Sequence, residues 1–226
     1  MVDVPFEGLT VVEQFHSRKN KVYLVERGGW RLVLKVYENG RCKNEARTLR
    51  AARRAGIAVP EVVDVGDNAL LLELIPGRSV NDYLNTPSMG EKALGVAAWL
   101  AAFHGAFRSG DEVLVKSDAI FKNFLVSDRI YGIDFELSHR GRPEEDVGEA
   151  LAYLLDTEPM FSEEKYALGR RFIGRYEGDS GIALKNIDAF VANSLRQAAE
   201  FRPGQRELLL KKARDIEDSR PFTPRR

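Results

Sequence analysis

The chain has 226 residues, 34 basic against 34 acidic side chains, three histidines and a single cysteine, Cys42. The balanced charge gives no global field of the kind that marks a nucleic-acid binder, and one cysteine rules out an internal disulfide or a cysteine-rich metal centre while suiting a reducing, cytoplasmic setting. No apolar run approaches the roughly 20 residues of a membrane span, the first five residues do not read as a signal peptide, and the length suffices for two small lobes sharing one cleft.

In chain order, Leu9–Phe15, Lys21–Glu26, Trp30–Tyr37, Glu61–Val65 and Ala69–Ile75 read as five strands, with Gly28-Gly29 and Gly66-Asp67-Asn68 as turn signals. The third strand, W-R-L-V-L-K-V-Y, carries Lys35 among apolar neighbours. A buried lysine needs an anion, because an unpaired buried charge is costly. Glu45 offers one, in a helix predicted over Arg41–Ala55. A period of 3.6 puts Glu45, Leu49 and Ala52 on one side and Lys43, Arg47, Arg50 and Arg54 on the other. An acid on the solvent side would join the basic stripe in i,i+4 pairs, so Glu45 is expected to face inward, towards Lys35. The stripe itself reads as a solvated face, or as a docking surface for RNA phosphates, anionic lipid or an acidic partner. Gly56 and Pro60 end the helix.

Pro76-Gly77 punctuates a boundary, and Ser79–Leu84 fits a short helix capped by Ser79. A longer helix over Gly90–Phe107 is expected to turn Leu94, Ala98, Ala101 and Ala102 to the core. The most informative stretch follows: D-A-I-F-K-N-F-L-V-S-D-R-I-Y-G-I-D-F, from Asp118 through Asn123 to Asp134-Phe135. Two carboxylates and an amide oxygen at the edges of a small hairpin suit a magnesium–nucleotide site, since hard cations take oxygen ligands. A hydroxyl attacking a phosphoryl group also needs a carboxylate to orient it. Taken alone, the same pattern fits a polar loop with an ordinary acid; the Lys35–Glu45 pairing upstream favours the functional reading. Further helices are predicted near Pro143–Leu155, Ser162–Tyr176, Asn186–Phe201 and Gln205–Asp218. His104 reads as a structural histidine, and the three scattered histidines with one cysteine make no zinc site.

Together these residues resemble the protein-kinase-like fold in its compact atypical form, as in the RIO, KEOPS-associated, lipopolysaccharide-core and aminoglycoside phosphotransferase-type kinases. The resemblance implies an α+β, two-lobed architecture: a small antiparallel nucleotide-binding lobe over residues 1–75, a mainly helical catalytic lobe over 76–180, and a C-terminal helical extension with a basic tail over 181–226. It implies ATP and Mg²⁺ as ligands. Lys35 resembles the strand lysine on the nucleotide phosphates, Glu45 its helix partner, Asp118 the catalytic-loop base, and Asn123 and Asp134 the metal ligands. Backbone groups of Glu73 and Ile75 would face the adenine edge, and the cleft would lie beneath Leu34–Lys35. Asp146 resembles the buried aspartate that steadies the catalytic loop; a helix N-terminal acid favoured by the dipole is the alternative.

Three departures accompany the resemblance. The loop His16-Ser17-Arg18-Lys19-Asn20-Lys21 lacks glycine, so Ser17, Lys19 or Asn20 is expected to help hold phosphates. Lys116-Ser117-Asp118 stands where a histidine usually precedes the loop, and Lys116 is expected to neutralise phosphate rather than reproduce a packed histidine's bonding. Asp134-Phe135-Glu136 replaces Asp-Phe-Gly, and only a few residues precede the next helix, so the peptide-docking activation segment is missing. The implied function is phosphoryl transfer from Mg–ATP to a protein or small-molecule hydroxyl. An ATPase or regulatory subunit of a larger, KEOPS-like assembly is the second reading, and a nucleotide-binding pseudokinase the third. The last residues, ending Pro-Phe-Thr-Pro-Arg-Arg, read as a flexible basic tail or a substrate-engaging arm.

Overall fold

Strand alternation decides which way Lys35 points, because successive side chains leave opposite faces of a sheet. In a computed structural model, which describes residues 6–17, 19–38 and 40–223, β1 (Thr10–Phe15), β2 (Lys21–Arg27), β3 (Trp30–Val36), β4 (Val62–Val65) and β5 (Ala69–Glu73) form one antiparallel sheet. The strand order is β1-β2-β3-β5-β4. Leu34 and Leu71 join Tyr23, Val25 and Ala69 in a small cluster on one face, whereas Leu70 and Leu72 belong to the main core on the other. Lys35 pairs in register with Leu70 and shares that second face. The Leu34 side chain leaves the opposite face of β3 from Lys35.

Helix α1 (Cys42–Arg54) follows the angular reading. Cys42, Glu45, Ala46, Thr48, Leu49 and Ala52 are buried, and Lys43, Arg47, Arg50 and Arg54 are exposed. The helix ends in a double hydrogen bond, Gly56 N–H to Arg53 O and Ile57 N–H to Ala52 O. That closure needs a left-handed residue after the C-cap, and Gly56 supplies it at φ 78°.

The second lobe begins where β6 (Arg78–Ser79) meets β8 (Phe124–Val126) and β9 (Ile130–Gly132) in a small sheet of order β6-β8-β9. A side chain at Gly77 would run into the Val126 carbonyl, so glycine lets the interlobe strand lie against the hairpin. The segment over Ser79–Leu84 forms a 3-10 turn, Val80–Tyr83, with the Ser79 hydroxyl accepting from Asn81 N–H at 3.1 Å. Two further strands, β7 (Val113–Val115) and β10 (His139–Gly141), pair antiparallel and tie the residues after Glu136 to the lobe.

Around them pack α2 (Met89–Ala106), α3 (Pro143–Leu155), α4 (Glu163–Ser180), α5 (Ile187–Phe201) and α6 (Arg206–Ser219). The face expected for α2 holds in part: Ala101 is buried and Leu94 packs against the core, while Ala98 is half-buried and Ala102 is exposed. Ala93, Val96, Ala97, Leu100 and Phe103 are buried as well, and a helix apolar on nearly every side carries little phase information, which is why the angular reading was incomplete there. Residues of α5 and α6 (Val191, Leu195, Leu209, Ala213 and Ile216) lie in the same core as α2 and α3. The tail departs from expectation: Phe222 is buried against Tyr166 with ring centroids 5.9 Å apart. Asp188 accepts from the N–H groups of Phe222 and Thr223 at 2.9 and 3.0 Å, which fixes the chain as far as Thr223. Residues 224–226 of the expected tail, Arg18 of the glycine-free loop and the first five residues lie outside the described residues. No helix among those described is long and apolar enough to cross a membrane.

Candidate active site

Lys35, one residue before the end of β3, reaches three carboxylates. Its Nζ donates to Glu45 Oε2 at 2.7 Å and to Asp134 Oδ1 at 2.6 Å, with Glu136 Oε2 at 4.0 Å. Burial alone pulls the ammonium pKa down, but Glu45 and Asp134 outweigh it and hold it above the ordinary lysine value. Glu45 is used at both oxygens: Tyr37 O–H donates to Oε2 at 2.6 Å and Phe135 N–H to Oε1 at 3.2 Å. Burial, then the Glu45 carboxylate, drives the Tyr37 hydroxyl pKa far up, so it remains a donor. Despite the burial of Asp134, Lys35 lowers its pKa and keeps it ionised.

Asp118 lies in the loop that leads into the β8–β9 hairpin, six residues before β8. Asn123 Nδ2 donates to the Asp118 carboxylate at 2.8 Å and to its carbonyl at 2.9 Å. With its nitrogen committed, the Asn123 amide has Oδ1 left as an acceptor. The Asp134 side chain is 34% exposed, so the carboxylate remains reachable from the cleft while bonded to Lys35. Asn123 and Asp134 stand at the two ends of one hairpin, and both offer oxygen, the atom type a hard divalent cation takes. A second acidic group, Glu45, Asp134 and Glu136, has ligand atoms within 4.8 Å of one another; Lys35 bonds two of these acids and lies 4.0 Å from the third.

Lys116 departs from expectation. It is fully buried, and its Nζ donates to the carbonyls of Asp134 at 3.2 Å, Asp118 at 3.3 Å and Ser117 at 3.5 Å. The rings of Phe124 and Phe135 flank it at 5.4 and 5.1 Å. The lysine therefore does bond the loops as a packed histidine would, because three carbonyls match the three donors of an ammonium. It does not point at transferred phosphate. Burial lowers its pKa against the opposing pull of Asp134, Asp118, Asp146 and Glu149. Asp146, fully buried, accepts from Lys116 N–H at 2.6 Å and Ser117 N–H at 2.8 Å, so it steadies this loop. His104 bridges Asp146 and the Tyr176 hydroxyl at 2.9 and 2.8 Å, a structural histidine as read.

The glycine-free loop contributes unevenly. Ser17 and Lys19 are exposed. Asn20 is buried, and its Nδ2 donates to Glu136 Oε2 at 2.6 Å, leaving Oδ1 buried without a partner. Asn20 is thus joined to the Asp134 loop. At the interlobe strand, Glu73 N–H is already bonded to Glu61 O at 2.9 Å, and the Glu73 carboxylate accepts from Arg53 at 2.9 Å and Glu61 N–H at 3.0 Å. Those bonds commit the Glu73 N–H and side chain to Glu61 and Arg53, and Ile75, two residues on, is buried. Two site residues escaped the sequence reading. The sequence reading treats Glu136 only as a lost glycine, although a second acid two places after Asp134 is itself a signal. Glu149 lies three residues after Asp146, on the same side of α3, and its carboxylate accepts from Ala119 N–H at 2.6 Å.

Comparison with known proteins agrees with this geometry. Residues 11–114 match the phosphotransferase enzyme family (APH). The probable serine/threonine-protein kinase BUD32 homolog of Archaeoglobus fulgidus is 30% identical over 142 residues, covering 62% of this chain and 68% of that protein. The chain belongs to the atypical protein-kinase-like family. Another relative in that family, the EKC/KEOPS complex subunit BUD32 of Encephalitozoon cuniculi, is 29% identical over 141 residues, 62% of this chain and 64% of the relative. The match spans only 24% of a probable bifunctional tRNA threonylcarbamoyladenosine biosynthesis protein of Methanocorpusculum labreanum, at 34% identity over 60% of this chain. Among solved structures, choline kinase from Cryptosporidium parvum superposes with a TM-score of 0.69 at 13% identity, covering 97% of this chain and 93% of that one. A putative aminoglycoside phosphotransferase from Ralstonia eutropha gives 0.67 at 17% identity, covering 94% and 91%. These likenesses establish the two-lobed kinase-like fold of this family member across nearly its whole length.

Proposed function

We propose that this atypical kinase-like protein transfers the γ-phosphoryl group of ATP to a hydroxyl. The observation that carries the reading is Lys35: one buried ammonium bonded at once to Glu45 on α1 and Asp134 on the hairpin. A buried ion pair often adds little stability over apolar packing, so an ammonium held at the cleft by Glu45 and Asp134 is read as placed for a ligand rather than for stability. Lys35 is the side chain to take the nucleotide phosphates, oriented by Glu45 while Asp134 turns to a cation. Asn123 and Asp134 would hold magnesium, which would screen phosphate charge during transfer. Asp118, with Asn123 fixing its carboxylate, orients the acceptor hydroxyl and takes its proton. The contribution of the chain is mainly positioning and charge stabilisation.

The residues between Glu136 and α3 support a compact acceptor, because β10 pins them to β7 and leaves no long segment to dock a peptide. A second reading, an ATPase serving a larger assembly, is favoured by the relatives named for the KEOPS complex and for tRNA threonylcarbamoyladenosine biosynthesis. The exposed cations of α1 would then suit an acidic or RNA partner. Radiolabelled ATP separates these readings. Label on an added acceptor or on the protein supports a kinase, free labelled phosphate supports the ATPase, and no turnover with retained nucleotide binding leaves a pseudokinase.

A further inference from the structure

Ser117 and Asp118 both sit in the left-handed region, at φ 59° and 51°. Two successive non-glycine residues hold that conformation only where their surroundings over-determine it. The restraining bonds can be followed group by group. Lys116 N–H and Ser117 N–H donate to Asp146, the carbonyls of Ser117 and Asp118 accept from Lys116 Nζ, and Asn123 Nδ2 donates to the Asp118 carbonyl. The first N–H beyond Asp118, that of Ala119, donates to Glu149 Oε2 at 2.6 Å. Ala119 is fully buried, so water cannot replace that acceptor. Asp146 and Glu149 lie three residues apart on α3 and so share a face. They grip the loop from either side of Asp118, Asp146 before it and Glu149 after it.

We infer that Glu149 is a positioning residue for phosphoryl transfer: it fixes Ala119 N–H and so the backbone from which Asp118 presents its carboxylate to the acceptor. This rests on the phosphotransferase reading of Asp118. Nothing in the family resemblance assigns a role at position 149. What the loop requires there is an acceptor oxygen rather than a negative charge. Burial pushes the Glu149 carboxyl up to about 8, with Asp146 and Asp118 adding and the Ala119 bond opposing, so at neutral pH it is mostly protonated and accepts through a carbonyl-like oxygen. An amide of the same length should therefore replace it.

The test uses the full chain with Glu149→Gln, Glu149→Ala and Glu149→Met, reading kcat, KM for ATP, and amide hydrogen exchange over residues 116–123. Glu149→Gln is expected to keep kcat within about twofold. Glu149→Ala and Glu149→Met should lose about 10- to 100-fold in kcat, the order of a small misplacement of a catalytic group, with KM for ATP unchanged and faster exchange confined to 116–123. Unchanged kcat in the alanine and methionine variants, or a rise in KM with kcat preserved, overturns the inference. If both of those variants fail to fold, Glu149→Gln decides: a folded amide variant with a tenfold lower kcat overturns it, and a preserved kcat supports it. If the wild type neither transfers nor releases phosphate, the phosphotransferase reading fails, and exchange alone decides the clamp: unaltered protection in Glu149→Ala removes it, and accelerated exchange at 116–123 retains it.

Discussion

The side-chain amide of Asn20 donates to the carboxylate of Glu136 at 2.6 Å, across 116 residues of chain. Asn20 belongs to the loop that lacks glycine between β1 and β2; Glu136 stands where a glycine usually follows Asp-Phe. The two departures from the kinase-like pattern are thus bonded to each other, roof to floor of the cleft. A loop without glycine cannot wrap phosphates closely by backbone alone, and here a side chain anchors it instead.

Removing that anchor should loosen the loop. Asn20→Ala leaves a buried carboxylate short of one donor, and a hydrogen bond to a charged group contributes about 1.5–3 kcal/mol. Urea unfolding should register a loss of that order, and hydrogen exchange should quicken over 14–22. Unchanged stability and exchange would mean the contact contributes nothing to holding the loop.

Lys35→Met should be more damaging. It strands Glu45 and Asp134, and breaking a buried ion pair on one side costs about 3–5 kcal/mol. Lys35→Met paired with Glu45→Gln should recover part of the stability but no phosphoryl transfer. Thermal unfolding and transfer assays on the single and double variants check both halves; a double variant no more stable than the single one contradicts the pairing.

Asp118→Asn keeps the size of the side chain and removes its base. Nucleotide affinity should hold while transfer falls by roughly 10²–10⁴. Full activity in this variant would place acceptor activation elsewhere and undo the reading of the loop.

Glu149 also makes stability depend on pH. Its carboxyl titrates near 4.5 when exposed and at about 8 in the fold, so between those values the native state holds a proton that the unfolded chain releases. Its contribution to stability is therefore greatest at or below about pH 4.5 and declines as pH rises towards 8. Glu149→Gln, which does not titrate, should remove that decline. Melting curves from pH 5 to 8.5 that run parallel in wild type and variant would contradict the shift.

The Lys35–Glu45 pair was legible in the sequence because two independent signals agreed: a lysine inside an apolar strand, and one acid set apart by angle from a basic helix face. The antiparallel small lobe was legible for a similar reason, since strand alternation and glycine turns repeat locally. The phase of α2 was not legible, because a helix buried on nearly all sides has no polar face to orient it. Lys116 was misjudged because its partners are backbone carbonyls, which carry no residue identity. Phe222 and Thr223 read as tail in the sequence because their anchor, Asp188, lies 34 and 35 residues away. Asn20–Glu136 and Ala119–Glu149 escaped for the same reason: each is a long-range bond between residues whose local sequence looks like ordinary loop and helix.

Calorimetric titration of ATP, with and without Mg²⁺, into wild type and Asp134→Asn tests the central claim most directly. The account predicts that wild type binds Mg–ATP, that binding weakens when magnesium is withheld, and that Asp134→Asn abolishes the magnesium dependence because an amide lacks the charge to balance the cation. Equal ATP affinity in wild type with and without magnesium, or no ATP binding at all, would contradict it.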